Sequence, residues 1–475
     1  MNFEKDFPNI ITQFQNKHVL VIGDVMLDRY CEGDVERISP EAPIPILSNY
    51  NLNEMPGGAA NVAVNLSSVG IKVSLVGSIG TDQYGKDLNN ILKKTSLVDF
   101  FPLILNKRKT TTKTRFYSKG KQLLRLDYED QSPIDLIKLN KILKQIEKLI
   151  KNSNALILSD YDKGLLTKKF ISKVIHFANK NNIPIIVDPK KEDFSNYAYA
   201  DIVTPNLSEL EKVSKKRFLN NNQIANYSRR ILKNTKIKNM LVTLGKDGML
   251  LINQKETFFL NAKPTEVSDV SGAGDTVVAL LTSVITSQND FKKASYLANL
   301  AGGISVSKKG TAKVSIGEIL ATLKLNLKKT SKNDLERSIE KWRIDSEIIG
   351  FANGCFDIIH PGHLHLLKKS KEKCSKLIVG INSDKSVRLI KGKDRPFQSE
   401  GIRYNILNSL PYVDEVIIFD EKTPLKIIKN IKPNLIFKGS DYKKNDVVGF
   451  NFLKKYGGKI IIIPLFEKFS TSNNL

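Results

Sequence analysis

Cysteine is almost absent from this chain. Three occur in 475 residues, Cys31, Cys355 and Cys374, with no CxxC spacing. That excludes a disulfide framework and a cysteine-based structural zinc site, and it suits a reducing compartment. Long apolar runs are missing too: no stretch approaches the roughly 20 residues of a membrane span. The first residues, Met1 to Asp6, lack the basic region and apolar run of an export signal. A cytoplasmic protein with no membrane partner is the expectation. Acid is short against base, with 49 Asp plus Glu facing 74 Lys plus Arg, formally +25. Such an excess raises nucleic-acid binding, but that reading needs a concentrated patch. Here the lysines are spread along the chain beside abundant Asn and Ile. Attraction of phosphorylated small molecules into clefts is the more economical use of the charge, and no nucleic-acid partner is expected.

A chain of this length, 41% hydrophobic, can bury large cores and favours two or three domains. Its first two thirds alternate β-branched runs at 18–23, 73–77, 155–159, 184–188 and 240–243 with amphipathic stretches. Fully apolar runs of this kind predict parallel strands covered by helices on both faces, an α/β sandwich. Residues 110–127 alternate polar and apolar side chains instead, which predicts an antiparallel hairpin forming a β lid. Between 317 and 343 the composition turns polar and lysine-rich, as in a solvated helix running into a linker. Domains are therefore expected at 1–320 and 344–475, joined by 321–343. In the second, runs at 347–352, 376–381, 414–419, 435–438 and 459–464 predict a smaller Rossmann-like sheet.

Within the first domain a glycine turn, Gly272-Ala273-Gly274, opens a helix and is followed by Asp275. The glycines leave bare N–H groups at a helix N-terminus, where the dipole favours a phosphate undergoing transfer. A carboxylate beside that hole can accept the proton of a sugar hydroxyl attacking a γ-phosphate. Alone, the same residues read as a turn with Asp275 as cap. Two further segments bear on the choice. Gly57-Gly58 opens another helix, with Asn61 placed to offer an amide to hydroxyls. Asn206-Leu207-Ser208-Glu209 follows a strand end, where an α/β sheet exposes its ligand groups.

Together these motifs resemble the ribokinase-like carbohydrate kinase family over residues 10–315. The resemblance implies that Asp275 is the catalytic base and that Gly272, Ala273 and Gly274 form the anion hole. It implies that Asn206 to Glu209 meet the magnesium–phosphate end of ATP, that Thr243, Gly245 and Gly248 line the adenine pocket, and that Asp28, Gly57, Gly58 and Asn61 bind the sugar. The step from Gly58 to Asn61 is one residue tighter than in many members. On the residues alone, Asp28 also reads as an ion-pair partner of Arg29, and Glu209 as an ordinary first-turn acid.

The chain has five histidines, and three of them, His360, His363 and His365, fall within six residues. His360-Pro361-Gly362-His363 opens a helix after the turn Gly354-Cys355-Phe356-Asp357. Imidazole N–H groups there are placed to bind a triphosphate and to stabilise charge as pyrophosphate leaves. A metal pair and a purely structural pair are the rival readings. The metal reading lacks the glutamate of HExxH and any cysteine cluster, and no metal ligand is assigned.

This stretch resembles the cytidylyltransferase-like family, with its Gly-x-Phe-Asp-x-x-His-x-Gly-His hallmark, over about 345–472; further matches lie at 379–384, 403–417, 438–442 and 470–472. The resemblance implies that His360 and His363 are catalytic and that Gly354, Phe356 and Lys438 bind the nucleotide. Ser470 and Thr471 would close over its triphosphate. The Arg-Thr-x-Gly lead-in of glycerol-phosphate relatives is missing, and Lys391 and Arg395 are the possible substitutes.

A kinase of the first kind joined to a transferase of the second resembles, over nearly the whole length, the bifunctional enzymes of ADP-heptose synthesis. The resemblance implies phosphorylation of D-glycero-D-manno-heptose 7-phosphate at O1, then transfer of AMP from ATP to heptose 1-phosphate. ATP and Mg2+ are the expected cofactors, sugar phosphates the ligands and a homodimer the expected assembly. Action on another sugar or polyol phosphate, or a binding-only C-terminal domain, is the alternative.

Overall fold

The computed structural model describes residues 6–262, 266–323, 332–408, 410–440 and 442–464. They divide into two compact units: Phe14–Val314, and Ser315 onward together with the residues up to Gln13. The apolar runs of the first unit become a nine-stranded sheet. From edge to edge its strands are Thr257–Leu260, Met249–Asn253, Asn239–Thr243, Ile202–Val203, Ile185–Asp188, Ala155–Ser159, His18–Gly23, Lys72–Gly80 and Val98–Leu105. All neighbours pair in parallel except around Met249–Asn253, which is antiparallel to both of its partners.

Both faces are covered, and for this reason the central strands read as unbroken apolar runs: all five residues of Ala155–Ser159 are buried. Leu20, Ile22, Leu156, Leu158, Ile185 and Val187 face one core, shared with Phe170, Ile171 and Val174 of the helix Lys168–Lys180. The helices Ala59–Ser68 and Ala273–Gln288 pack against each other and on the same sheet.

A separate four-stranded sheet has the order Pro45–Gly58, Val25–Ile38, Thr112–Ser118, Lys121–Tyr128. The hairpin expected at 110–127 is its second half, closed at Gly120 with φ +76°. The first half is a hairpin that the sequence did not announce, because its long strands mix charged and apolar residues without clean alternation. Val25–Ile38 follows His18–Gly23 after the single residue Asp24, so the chain runs from the centre of the large sheet straight into the lid.

In the second unit five parallel strands lie in the order Glu415–Phe419, Lys376–Asn382, Ile349–Gly354, Leu435–Gly439, Lys459–Ile463. Chain order reverses beside Ile349–Gly354, and a crevice opens at the carboxyl ends of the strands at such a switch point. The stretch assigned by composition to a linker, 321–343, holds most of the helix Lys332–Ile344. Its Leu335 and Ile339, four residues apart, pack into the core with Ile349, Phe351 and Ile417. A two-residue apolar stripe in a lysine-rich background is easily read as solvated. Among the described residues no helix is long and apolar enough to cross a membrane.

The two cores share no residues. Residues 14–314 expressed alone are therefore expected to unfold in one cooperative denaturant transition. Leu158→Ala in that fragment should lower its stability by about 2 to 5 kcal/mol, since Leu158 is fully buried. A fragment with no transition would refute the independence of this core.

Candidate active sites

In the first unit the helix Ala273–Gln288 starts at Gly272, which has φ +75°. A Cβ there would stand 2.5 Å from the Asn61 amide nitrogen, so the position needs glycine both for its backbone and for its space. Gly58 has φ +57° at the start of Ala59–Ser68, and a Cβ on Gly57 would collide with the Asp28 carboxylate. Gly274, by contrast, faces open space.

Asp275, in the first turn, is 2% exposed. Its Oδ2 accepts from Asn61 Nδ2 at 2.8 Å and its Oδ1 from the Tyr161 hydroxyl at 2.7 Å. Asn65 donates to Asn61 Oδ1 at 3.0 Å, so the Asn61 amide is turned with its nitrogen toward Asp275. Burial pushes the Asp275 carboxyl up to about 7, against the pull of those two donors; Asp28 adds to the rise and Lys113 opposes it. A base near neutrality in a buried cleft is suited to proton abstraction.

Asp28 accepts from Arg115 at 2.6 Å, and both side chains are nearly buried. The alternative pairing of Asp28 with Arg29 does not form: successive strand residues point to opposite faces, and Arg29 meets Glu54 at 2.8 Å. Asn206 and Glu209 form a capping box, with Leu207 and Ser208 as the first turn between them, and Glu209 also accepts from Lys190 at 2.8 Å. Glu209 thus has the first-turn role and an ion pair besides, with a side chain that is largely covered. Asn206 and Thr243 form an isolated parallel β-bridge, beyond which Gly245 (φ +60°) and Gly248 (φ +103°) shape the turn into the next strand.

Asp188, at the end of Ile185–Asp188, connects the two groups. Burial holds its carboxyl well above the ordinary range, and the charges of Asp275 and Glu209 raise it further. Sequence reasoning missed Asp188 and Tyr161. Their signal was position, since each stands at or just after the carboxyl end of a parallel strand.

In the second unit a cavity of about 460 Å³ opens at the switch point, lined among others by Gly354, Phe356, His360, His363, Lys391 and Lys438. His360 precedes the helix Pro361–Lys371, with Pro361 at its first position. The two imidazoles lie with centroids 3.8 Å apart, and Phe356 packs 5.0 Å from His363. Burial and the Lys391 charge hold His360 down to about 4; burial, then His360 and Lys391, hold His363 well below its ordinary value. Both are neutral at pH 7, and each carries one N–H donor.

Lys438 donates to the Asn353 carbonyl at 3.0 Å. Of the two substitute cations, Arg395 is committed to Asp357 at 2.7 Å and stacks over Phe397, whereas exposed Lys391 lines the cavity. Buried Arg403 donates to the carbonyls of Cys355, Asn382 and Gln398 and to Asp384, pinning the turn that carries Phe356. Ser470 and Thr471 lie outside the described residues.

Residues 16–316 match the pfkB family of carbohydrate kinases, and residues 351–465 match the cytidylyltransferase-like family. The bifunctional protein HldE of Paramagnetospirillum magneticum is 39% identical over 472 residues, 98% of this chain and 97% of that protein. HldE of Coxiella burnetii is 39% identical over 468 residues, 97% of each chain. Among solved structures, Arabidopsis thaliana ribokinase with ribose and ATP superposes with a TM-score of 0.53 at 20% identity, covering 65% of this chain and 99% of that one. Escherichia coli phosphofructokinase-2 with potassium gives 0.55 at 17%, covering 65% and 98%. At these identities the two structures speak to the fold alone.

The depressed histidines set a pH dependence. An unfolded imidazole protonates near 6.5 while His360 resists until about 4. The unfolded chain therefore binds more protons in that window, and stability should fall as pH drops through it. NMR titration of the His360 and His363 ring protons should show neither protonating between about pH 5.5 and 8. A midpoint near 6.5 for either would contradict the buried geometry.

Proposed function

This chain belongs to the family of bifunctional HldE proteins, and from that premise we propose that it phosphorylates D-glycero-D-manno-heptose 7-phosphate at O1 and then adenylylates heptose 1-phosphate. It is a sugar-phosphate kinase and a nucleotidyltransferase on one polypeptide, and ATP serves both reactions. The observation that carries the reading is the end-to-end match to relatives that join these same two modules.

In the kinase half we assign Asp275 as the base that takes the proton of the sugar O1 hydroxyl while that oxygen attacks the γ-phosphorus of ATP. The N–H groups at Gly272, Ala273 and Gly274 would hold the transferred phosphoryl, and open space beside Gly274 supports that use. Asp28, Gly57, Gly58 and Asn61 surround the sugar position. Asn206 to Glu209 face the phosphates, and Thr243, Gly245 and Gly248 the base. The products are ADP and the 1,7-bisphosphate, from which a phosphatase must remove the 7-phosphate before the second reaction.

In the transferase half an oxygen of heptose 1-phosphate attacks the α-phosphorus of ATP, and pyrophosphate leaves. His360 and His363 meet the growing charge as neutral donors, with Lys438 and Lys391 as point charges. ADP-heptose results. Gly354 and Phe356 shape the floor on which the nucleotide lies, and Ser470 and Thr471 are assigned to its triphosphate from sequence.

Magnesium fits the first site on the chemistry of its donors. The charges of Asp275 and Glu209 both bear on Asp188, and ATP-bound Mg2+ takes one or two protein carboxylates rather than a full cage. When bound it neutralises the triphosphate, and Asp188 and Glu209 are the residues to hold it.

We place the junction of the two activities within 321–343, ahead of the helix that joins the second core. A cytoplasmic homodimer is the assembly we favour. The lid face opposite Asp28 carries exposed Leu52, Leu124 and Leu126, which a second copy would cover.

Purified protein given heptose 7-phosphate and ATP should yield the bisphosphate by mass spectrometry, and heptose 1-phosphate with ATP should yield ADP-heptose and pyrophosphate. Failure of either on these sugars while others react would overturn the substrate. Asp275→Asn should cut kinase turnover by about 10² to 10⁴ and leave adenylyl transfer intact. His363→Ala should do the reverse, lowering adenylyl-transfer kcat by about 10² to 10³ with little change in KM.

A further inference from the structure

The Asp275 carboxylate is approached from several packed elements. Asn61 reaches it from the helix Ala59–Ser68, and Tyr161 from the loop after Ala155–Ser159. Asp28 and Lys113 act on it from the lid. Asp188 stands at the end of its own strand, close enough for the two carboxyls to repel. Of these groups, Tyr161 has no part in the chemistry described above.

The Tyr161 side chain is partly buried, and burial, followed by the charges of Asp275, Asp188 and Asp28, holds its phenol well above its ordinary value. It stays protonated and can only donate to a neighbouring carboxylate. Its ring also lies 5.7 Å from the Lys113 ammonium. The loop that carries it is tied down independently: Asp24, buried where the large sheet passes into the lid, accepts from the backbone N–H of Tyr161 and of Lys163, each at 3.0 Å.

We propose that Tyr161 is a positioning residue of the kinase reaction: its hydroxyl fixes one oxygen of Asp275 while Asn61 fixes the other, so that the carboxylate meets the sugar hydroxyl in a single orientation. A carboxylate on a short side chain can rotate about its last bond, and a rotated base misaims the lone pair that must receive the proton. Two donors on two oxygens remove that freedom, and neither is displaced by the other. They also favour the charged form, which offsets part of the burial of Asp275. Asp24 acts one step further out, through the loop.

The proposal rests on Asp275 being the base, and the test separates the two claims. Kinase kcat and KM are measured against pH on the full-length chain, with adenylyl transfer in the same preparation as the folding control. Tyr161→Phe keeps the ring and removes only the hydroxyl. It should lower kinase kcat by about 10-fold or more with the KM for ATP nearly unchanged. The acid limb of its kcat/KM profile should move upward by about half a pH unit or more, because a donor to the charged form is lost. Replacing Tyr161 with 3,5-difluorotyrosine makes the phenol a stronger donor and should move the same limb downward. Tyr161→Phe with wild-type kcat and an unmoved limb overturns the positioning role, as does a rise in KM alone or a limb indifferent to fluorination. If Asp275→Asn itself retains kinase turnover, it is the base assignment that fails.

Discussion

Every strand of a parallel sheet ends on the same edge, and both halves of this protein are built on that constraint. In the first unit the residues at or just after those ends are Asp24, Tyr161, Asp188, Asn206 and Thr243, contributed by five different strands. In the second they are Gly354 with the turn to Asp357, Asn382 and Lys438. No helix or turn of either unit could collect these groups from local sequence. The sheet does so because its strands are in register and point one way, and the helices that follow the ends bring N-terminal N–H groups to the same edge.

Burial then sets the charge states. A carboxylate withdrawn from water loses hydration that two hydrogen bonds only partly replace, so Asp275 rises to about 7. The same withdrawal drives His360 and His363 down and keeps them neutral. One force, acting on an acid and on a cationic base, raises a carboxyl in one unit and keeps two imidazoles uncharged in the other. Lys391 strengthens the effect on the histidines by like-charge repulsion, which binding of a triphosphate would relieve.

Much of this was legible beforehand wherever a local rule decides. Gly272 and Gly58 are glycine because their backbones are left-handed or close-packed, and such positions announce themselves as glycine pairs ahead of a helix. The His360 to His363 turn was visible because histidine is rare and Pro361 marks a helix start. Less was legible where charge and apolar residues mix, as in the first lid hairpin, or where two apolar residues hide among lysines, as in Lys332–Ile344.

The sequence alone determined the parallel strands of both sheets, the order of the two modules and the turns that carry Asp275 and His363, because each follows from periodicity or from a residue type confined by its own backbone. Only the tertiary structure decided the partners. It brought Tyr161 across 114 residues and Asn61 across 214 to the two oxygens of Asp275, matched Asp28 with Arg115 instead of its neighbour Arg29, and committed Arg395 to Asp357 while leaving Lys391 on the cavity wall. The reason is physical: a side chain's partner is whatever the packed sheet and helices place within about 3 Å of it, and sequence spacing carries no record of that distance.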